Sequence, residues 1–553
     1  MKRLRERGFD VGATNTMDTR ATWERARRDV LAVSVLFAAS VLNALPPLLN
    51  AAGTQSDAAI VGLQAMHAMH GEIAWSLWGS SYQTSVDSWV ASVFFRFLRA
   101  TPLALMLSTF TGYLALTGFA YATLRRHVAA GAAALLVLPI VIMAGPVHIY
   151  AFYPPRQASL TLLFAAIWAL DGAANGRRPA LRLAVGGFVA GLAVLADPYC
   201  LVFTPAIALF IVITARQGCK RWVRGAVAGI AGLVCALSPF VAIVQGRGVT
   251  PGVYRLTDGV FSHNVKLLVR ECLPYLLSTK VEMFSPSGGD GWFHPPAWFH
   301  AVEVVGAGSL LGGIALGGAA AFSVLVPASE RRLGALGGVI LPITLAAFCF
   351  SVMAMDRLSA RYLVSIVLLS PFALAPLVRL AGTARFAAML APYLVSAAVG
   401  GWLGNGNNVD GVRIRRENGR AKDEHALAEL LRARGIHYGL ADYWVAYRLT
   451  FLFREDPILV PWHAALDRYP PYRRATEAEP VVAYVFDPYW SREALASREH
   501  ELRAAGSGFE PDFDETRVGR YTVLVLTRTG TPENVARRVR LQQNPVAVVH
   551  LPP

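Results

Sequence analysis

Apolar runs long enough to cross a bilayer recur along this chain, and every second connector between them carries arginine. The runs lie near 30–49, 102–124, 128–147, 157–174, 181–196, 199–215, 225–244, 301–326, 334–354, 362–379 and 384–402, lengths that suit transmembrane helices. Arg125 and Arg126, Arg177 and Arg178, Lys220 with Arg221 and Arg224, Arg331 and Arg332, and Arg379 to Arg385 fall on alternate connectors. Basic connectors stay on the cytoplasmic side. The expected architecture is a polytopic α-helical membrane protein of about 11 transmembrane helices, with its N-terminus cytoplasmic and everything after residue 403 outside. A content of 54% hydrophobic and only 16% charged residues exceeds what one soluble core needs.

The same distribution decides what the net charge of +15 means. Most of the arginine sits between apolar runs or at the N-terminus, where it sets topology and meets anionic lipid rather than nucleic acid. Residues 1–29 form a basic cytoplasmic segment leading into an uncleaved first helix, since the apolar core that follows is too long for a signal peptide. The five cysteines have no C-x-x-C spacing, so neither a disulfide framework nor a zinc knuckle is implied. G-x-x-x-x-G-K-[ST], G-x-S-x-G and H-E-x-x-H are all missing from the sequence.

Two connectors are too long to be turns: 51–101 and 245–300. The first holds Asp57, His67, His70, Glu72 and Asp87 and has no Lys or Arg before Arg96, which places it outside. The second carries an aromatic, histidine-bearing stretch, GGDGWFHPPAWFH, that reads as an interfacial anchor. After the turn-rich NGNNVDG, residues 403–553 change character. A helix over DEHALAELLRARG, strands at HYGLA, ILV, VVAYVF and YTVLVLT, and helices around Tyr443–Phe453 and Arg492–Ala505 make an outer α/β domain.

The order of first span, outer loop with an early aspartate, and then G-E-I-x-W-x-x-W-G-x-x-Y-x-x-S-V-D-x-W-x-A before the second span resembles the bacterial integral-membrane glycosyltransferases of the GT-C class. That class includes the protein O-mannosyltransferases and the lipid A aminoarabinose transferases. The likeness in residues is concentrated in 53–110, with a weaker echo at Asp356-Arg357-x-x-x-Arg361-Tyr362 and in the segments 441–451 and 468–472. It implies a bacterial inner-membrane enzyme of inverting type. Such an enzyme transfers sugar from a polyprenyl-phosphate donor to an extracytoplasmic glycan, lipid or protein, with membrane lipid as its surroundings and no nucleic-acid partner. It also implies that Asp57 is the catalytic carboxylate, a general base for the acceptor hydroxyl.

Each candidate has a plainer role beside the chemical one. Asp57 either does chemistry or caps the helix that follows. Asp87 either contacts substrate or begins the next helix. Glu72 and Tyr82 are substrate-binding candidates, Tyr82 alternatively joining Trp75, Trp78 and Trp89 in an aromatic belt. Arg357 and Arg361 either pair with the donor phosphate or reach headgroups. His148, Tyr150, Tyr153 and Arg156 lie on a further outer loop. His67, His70 and Glu72 suit a divalent metal by residue type, but nothing in their spacing specifies one and the acidic residues of this loop do not form a D-x-D motif, so no cofactor is expected. The rival classes are a transporter, which places ionisable residues near the midplane, and a non-catalytic envelope-assembly protein.

Overall fold

The computed structural model describes residues 13–487 and 513–527, apart from 50, 81, 146–151, 153, 175, 247–257, 284–290, 293, 352–353 and 406–418. The expected elements at His148, Tyr150, Tyr153 and Arg492–Ala505 lie outside the described residues.

Among the described residues, nine helices are long and apolar enough to cross a membrane, from Thr22–Leu49 within helix α1 (Ala13–Leu49) to Thr383–Leu403. Ala130–Val141 and Gln157–Asp171 are apolar but shorter. At 1.5 Å per residue they reach only about 18 and 23 Å, less than the ~30 Å hydrocarbon core. Together these helices occupy all the apolar runs read from the sequence. Small residues let some of them touch backbone to backbone. A Cβ on Gly187, in helix Pro179–Ala196, would stand 2.0 Å from the Gly229 carbonyl oxygen in helix Trp222–Gly246.

The basic connectors meet at one end of the bundle. Buried Asp171 receives Arg126 Nη1 at 3.1 Å, His127 Nε2 at 3.0 Å and Arg332 Nη2 at 2.6 Å. Arg332 also donates to Gln217 at 2.6 Å, and Arg125 pairs with Asp29 at 2.5 Å. Asp171 thereby ties three helix ends and Gln217 joins a fourth through Arg332, and the buried carboxylate is paired with cations, the condition under which a buried ion is tolerated.

At the opposite end of helix α4 (Pro102–Leu124) lie two short helices of the first long connector, α2 (Ser56–Met69) and α3 (Val86–Phe97). They pack on each other through Gln64, whose amide donates to Ser85 Oγ at 2.9 Å and whose carbonyl accepts from Ser88 Oγ at 3.0 Å. Over α2 sits the C-terminal α/β unit. In chain order the strands are β1 (Glu282–Met283) and β2 (Gly291–Trp292), a small antiparallel pair in the second long connector, then β3 (Tyr438–Ala441), β4 (Ile458–Pro461), β5 (Val481–Phe486), β6 (Phe513–Val518) and β7 (Tyr521–Thr527). The last five form one sheet in the order β4-β3-β5-β7-β6, with β3 parallel to β4 and β5 and the other pairs antiparallel. The four strands expected from apolar runs are all present. β6, with the polar sequence FDETRV, is an additional edge strand.

The α/β unit is fastened by helix Tyr443–Leu452, which lies against α2. Gly62 of α2 makes room for it, since a Cβ there would fall 2.5 Å from the Phe451 ring. From the same helix, buried Arg448 pairs with buried Glu424 at 2.5 Å and donates to the Ala52 carbonyl at 3.3 Å, just ahead of α2.

Candidate functional site

Helix α2 starts at Ser56 because Gln55 is extended, with φ −90° and ψ 167°. Asp57 therefore stands half-buried in the first turn, where the helix dipole favours a carboxylate. Ser56 is not free to cap the helix, since its hydroxyl donates to the Tyr443 carbonyl at 2.6 Å. Tyr443 opens its own helix, which Asp442 caps through the Trp444 N–H at 2.9 Å. This fixes the phenol, and its hydroxyl donates to Asp57 Oδ1.

Arg468 stands behind that phenol. Its guanidinium lies over the Tyr443 ring at 5.3 Å, its Nε donates to the Tyr443 oxygen at 3.3 Å, and its Nη1 donates to the Gly79 carbonyl at 2.6 Å. Gly79 has φ +64°, and a Cβ there would meet Arg468 Cδ at 2.2 Å, so glycine is required on both counts. The Arg468 backbone N–H donates to the Tyr447 hydroxyl at 2.6 Å, which in turn donates to Asp467 at 2.5 Å. Burial opposes the Arg468 charge, but Tyr443 and Asp57 outweigh it and raise its pKa. The exposed phenol of Tyr82 is near enough to contribute to the same field.

A second cluster lies ten residues along α2, roughly 15 Å away at the helical rise. His67 meets Glu72 through Nδ1 at 2.5 Å and Glu455 through Nε2 at 2.6 Å. Tyr469 donates to Glu72 at 2.7 Å, Tyr472 donates to Glu455, and Trp78 stacks on Tyr469 with ring centroids 3.8 Å apart. Burial lowers the His67 pKa, but its hydrogen bonds to Glu455 and Glu72 outweigh it and the net shift is upward. Both glutamates show the reciprocal shift: burial raises them, and the His67 hydrogen bonds bring them below the ordinary range. His70 does not join; its Nδ1 lies 3.0 Å from the Met66 carbonyl in the last turn of α2. No group of three or more His, Cys, Asp or Glu suited to a metal ion occurs among the described residues.

Asp87 belongs to a third place. It is buried, and its Oδ1 accepts the Ala158 N–H at 3.0 Å, so it caps helix Gln157–Asp171 from across the fold. Burial pushes its pKa up to about 8, aided by nearby Asp197 and opposed by the Ala158 and Gln157 amides. Asp197 accepts from Gln83 at 2.9 Å and Arg156 at 3.1 Å, and Arg156 lies over the Tyr199 ring at 5.1 Å. Tyr199 oxygen accepts the Ser365 N–H at 3.0 Å, one helical turn beyond Arg361. Arg357 and Arg361 lie in the 3-10 turn Arg357–Leu363, which a capping box between Asp356 and Ser359 starts. Arg361 donates to the Tyr362 hydroxyl at 3.1 Å. No contact among the described residues joins either arginine to Asp57.

No protein-family model and no curated protein matches this sequence. Solved structures do. ArnT from Cupriavidus metallidurans, bound to undecaprenyl phosphate, superposes with a TM-score of 0.51 at 13% identity over 90% of this chain and 97% of that one. The fold is GT-C-like. ArnT in the apo state gives 0.46 at 13% identity over 95% of this chain and 100% of that one. AglB from Archaeoglobus fulgidus, in complex with an inhibitory peptide and a dolichol-phosphate, gives 0.42 at 12% identity over 89% of this chain and 74% of that one.

Within this GT-C-like fold the six residues singled out from the sequence divide among four places: Asp57 with Tyr82 nearby, Glu72 with His67, Asp87 in the first turn of α3, and Arg357 with Arg361 at a helix start. The residues that sequence reasoning missed are Tyr443, Arg468 and Glu455, all from the C-terminal unit. The signal was there for two of them, in the aromatic, arginine-bearing segments 441–451 and 468–472.

Proposed function

We propose that this chain is a membrane glycosyltransferase that moves a sugar from a polyprenyl-phosphate donor to an extracytoplasmic acceptor, with Asp57 as general base. The observation that carries the reading is the placement of Asp57. It is a half-buried carboxylate at the start of a helix on the end of the bundle away from the basic connectors, with Oδ1 engaged by Tyr443. No other side chain among the described residues takes Oδ2. The ArnT-like fold supports the donor class, because that protein's structure is bound to undecaprenyl phosphate. The positive-inside rule supports the orientation.

In the proposed step the acceptor hydroxyl gives its proton to Asp57 while its oxygen forms a bond to the anomeric carbon. The bond from that carbon to the phosphate oxygen breaks, and its electron pair leaves on the polyprenyl phosphate. Inversion follows from a single displacement. Arg357 and Arg361 are the proposed phosphate partners, since guanidinium matches that group with two parallel hydrogen bonds. The phosphate gains one negative charge as it leaves, which the two guanidinium groups would meet, so the reading assigns no metal. Purified Asp57→Asn protein keeps the size of the side chain but not its basicity. Transfer should fall by ~10² to 10⁴ at unchanged folded yield, and wild-type activity should survive chelator. An Asp57→Asn protein with normal transfer removes this residue from the chemistry.

A further inference from the structure

We infer that Tyr443 and Arg468 are positioning residues for Asp57, so that the C-terminal α/β unit is an integral part of the reaction centre. The inference rests on the general-base reading above and adds a part to it. A half-exposed carboxylate in the first turn of a helix has two free torsions and rotates unless something holds it. Here three contacts converge on one partner. The Tyr443 backbone carbonyl is fixed by Ser56, its ring is covered by Arg468, and its hydroxyl oxygen accepts from Arg468 Nε while donating to Asp57.

The direction of these bonds matters. Arg468 donates only, so the Tyr443 oxygen must use its single proton on Asp57. Arg468 is itself held at both ends, by the Gly79 carbonyl on the side chain and by Tyr447 on the backbone. The arrangement reaches from the first connector to the C-terminal unit and back, with Gly79 required for the close approach. Removing the Tyr443 hydroxyl leaves the fold its ring and removes the hold on Oδ1 together with the acceptor of Arg468 Nε.

Steady-state release of undecaprenyl phosphate from synthetic undecaprenyl-phosphate pentoses and hexoses, with a cell-envelope extract supplying the acceptor hydroxyl, tests this with the full-length protein. Tyr443→Phe should lower kcat on the order of 10- to 100-fold, as a small misplacement of a reacting group does, and leave KM for the donor unchanged. Arg468→Ala should lose a similar amount and Arg468→Lys should recover part of it. The decisive measurement is the double variant Asp57→Asn with Tyr443→Phe. A residue that acts only through Asp57 costs nothing more once that carboxylate is gone, so the double variant should match Asp57→Asn alone. Additive losses, or a Tyr443→Phe protein with wild-type kcat, overturn the inference while leaving the base in place. An Asp57→Asn protein with wild-type kcat, or a wild-type protein inert on every donor, overturns the general-base reading and this inference with it.

Discussion

Trp78 of the first long connector and Tyr469 of the C-terminal unit lie face to face, with ring centroids 3.8 Å apart and planes 18° from parallel. Tyr469 is also edge-on to Tyr472 at 4.7 Å, and His67 stands edge-on to Trp78 at 4.8 Å. Four rings from two distant parts of the chain thus form one aromatic block beside α2.

That block predicts how firmly the C-terminal unit is seated. Trp78 is only 8% exposed, and truncating a buried indole costs about 3 to 5 kcal/mol. Trp78→Ala should lower the thermal midpoint of the purified protein and raise the rate at which trypsin cuts after residue 403. Trp75, 76% exposed and edge-on to Trp89 at 5.3 Å, supplies the control. Trp75→Ala should leave both measurements near wild type.

His67 makes the seating depend on pH. Its pKa is raised in the folded protein, so its contribution is fully present below the free imidazole value of about 6.5 and is lost as pH rises through the folded value. Glu72 and Glu455 are lowered, so theirs is present above the free glutamate value of about 4.3 and is lost as pH falls through their folded values. The thermal midpoint should be highest between those limits and should decline toward pH 9. His67→Gln should remove most of the alkaline decline. An identical decline in that variant would assign the effect to other groups.

Arg361 gives a test of donor binding. If it holds the phosphate, Arg361→Lys keeps the charge but loses the planar pair of donors and should weaken undecaprenyl phosphate binding by about 10-fold or more. Microscale thermophoresis with the purified protein reads this directly. Unchanged affinity in both Arg357→Ala and Arg361→Ala would reassign the pair to headgroup contact.

Orientation is open to a separate check. The Asp171 cluster gathers basic connectors at one end of the bundle, and the positive-inside rule predicts that this end faces the cytoplasm. Alkaline phosphatase fused after Pro553 should be active, and green fluorescent protein at the same place should be dark. The reverse pattern would invert the whole assignment.

The membrane half was legible in the sequence because hydropathy and arginine placement are local signals that survive without knowledge of partners. The two short helices show the limit of such signals. Runs 128–147 and 157–174 are apolar over a full span, yet the apolar helices described there, Ala130–Val141 and Gln157–Asp171, are shorter. The strands were legible where both faces are buried, as in VVAYVF, and β6 was missed because an edge strand with alternate residues exposed needs no apolar run. Asp87 was weighed as a helix starter or a site residue. It begins α3 and also caps a helix 71 positions further on, a partner that no local pattern encodes. The same holds for Tyr443 and Asp57. Each stood out in its own neighbourhood, but only the folded chain brings them into contact.

Those two residues are 386 positions apart in the chain. At roughly 5 to 20 residues per second of synthesis, the aspartate is made on the order of 20 to 80 seconds before its tyrosine exists. During that interval the nascent bundle already sits in a membrane stocked with lipid-linked intermediates. Under the inference drawn above its carboxylate is unheld there, and the same is true of any product cut short by a premature stop or by a protease acting on the linker. Full competence then belongs to finished molecules alone, because the end of the chain completes a site that its beginning supplies.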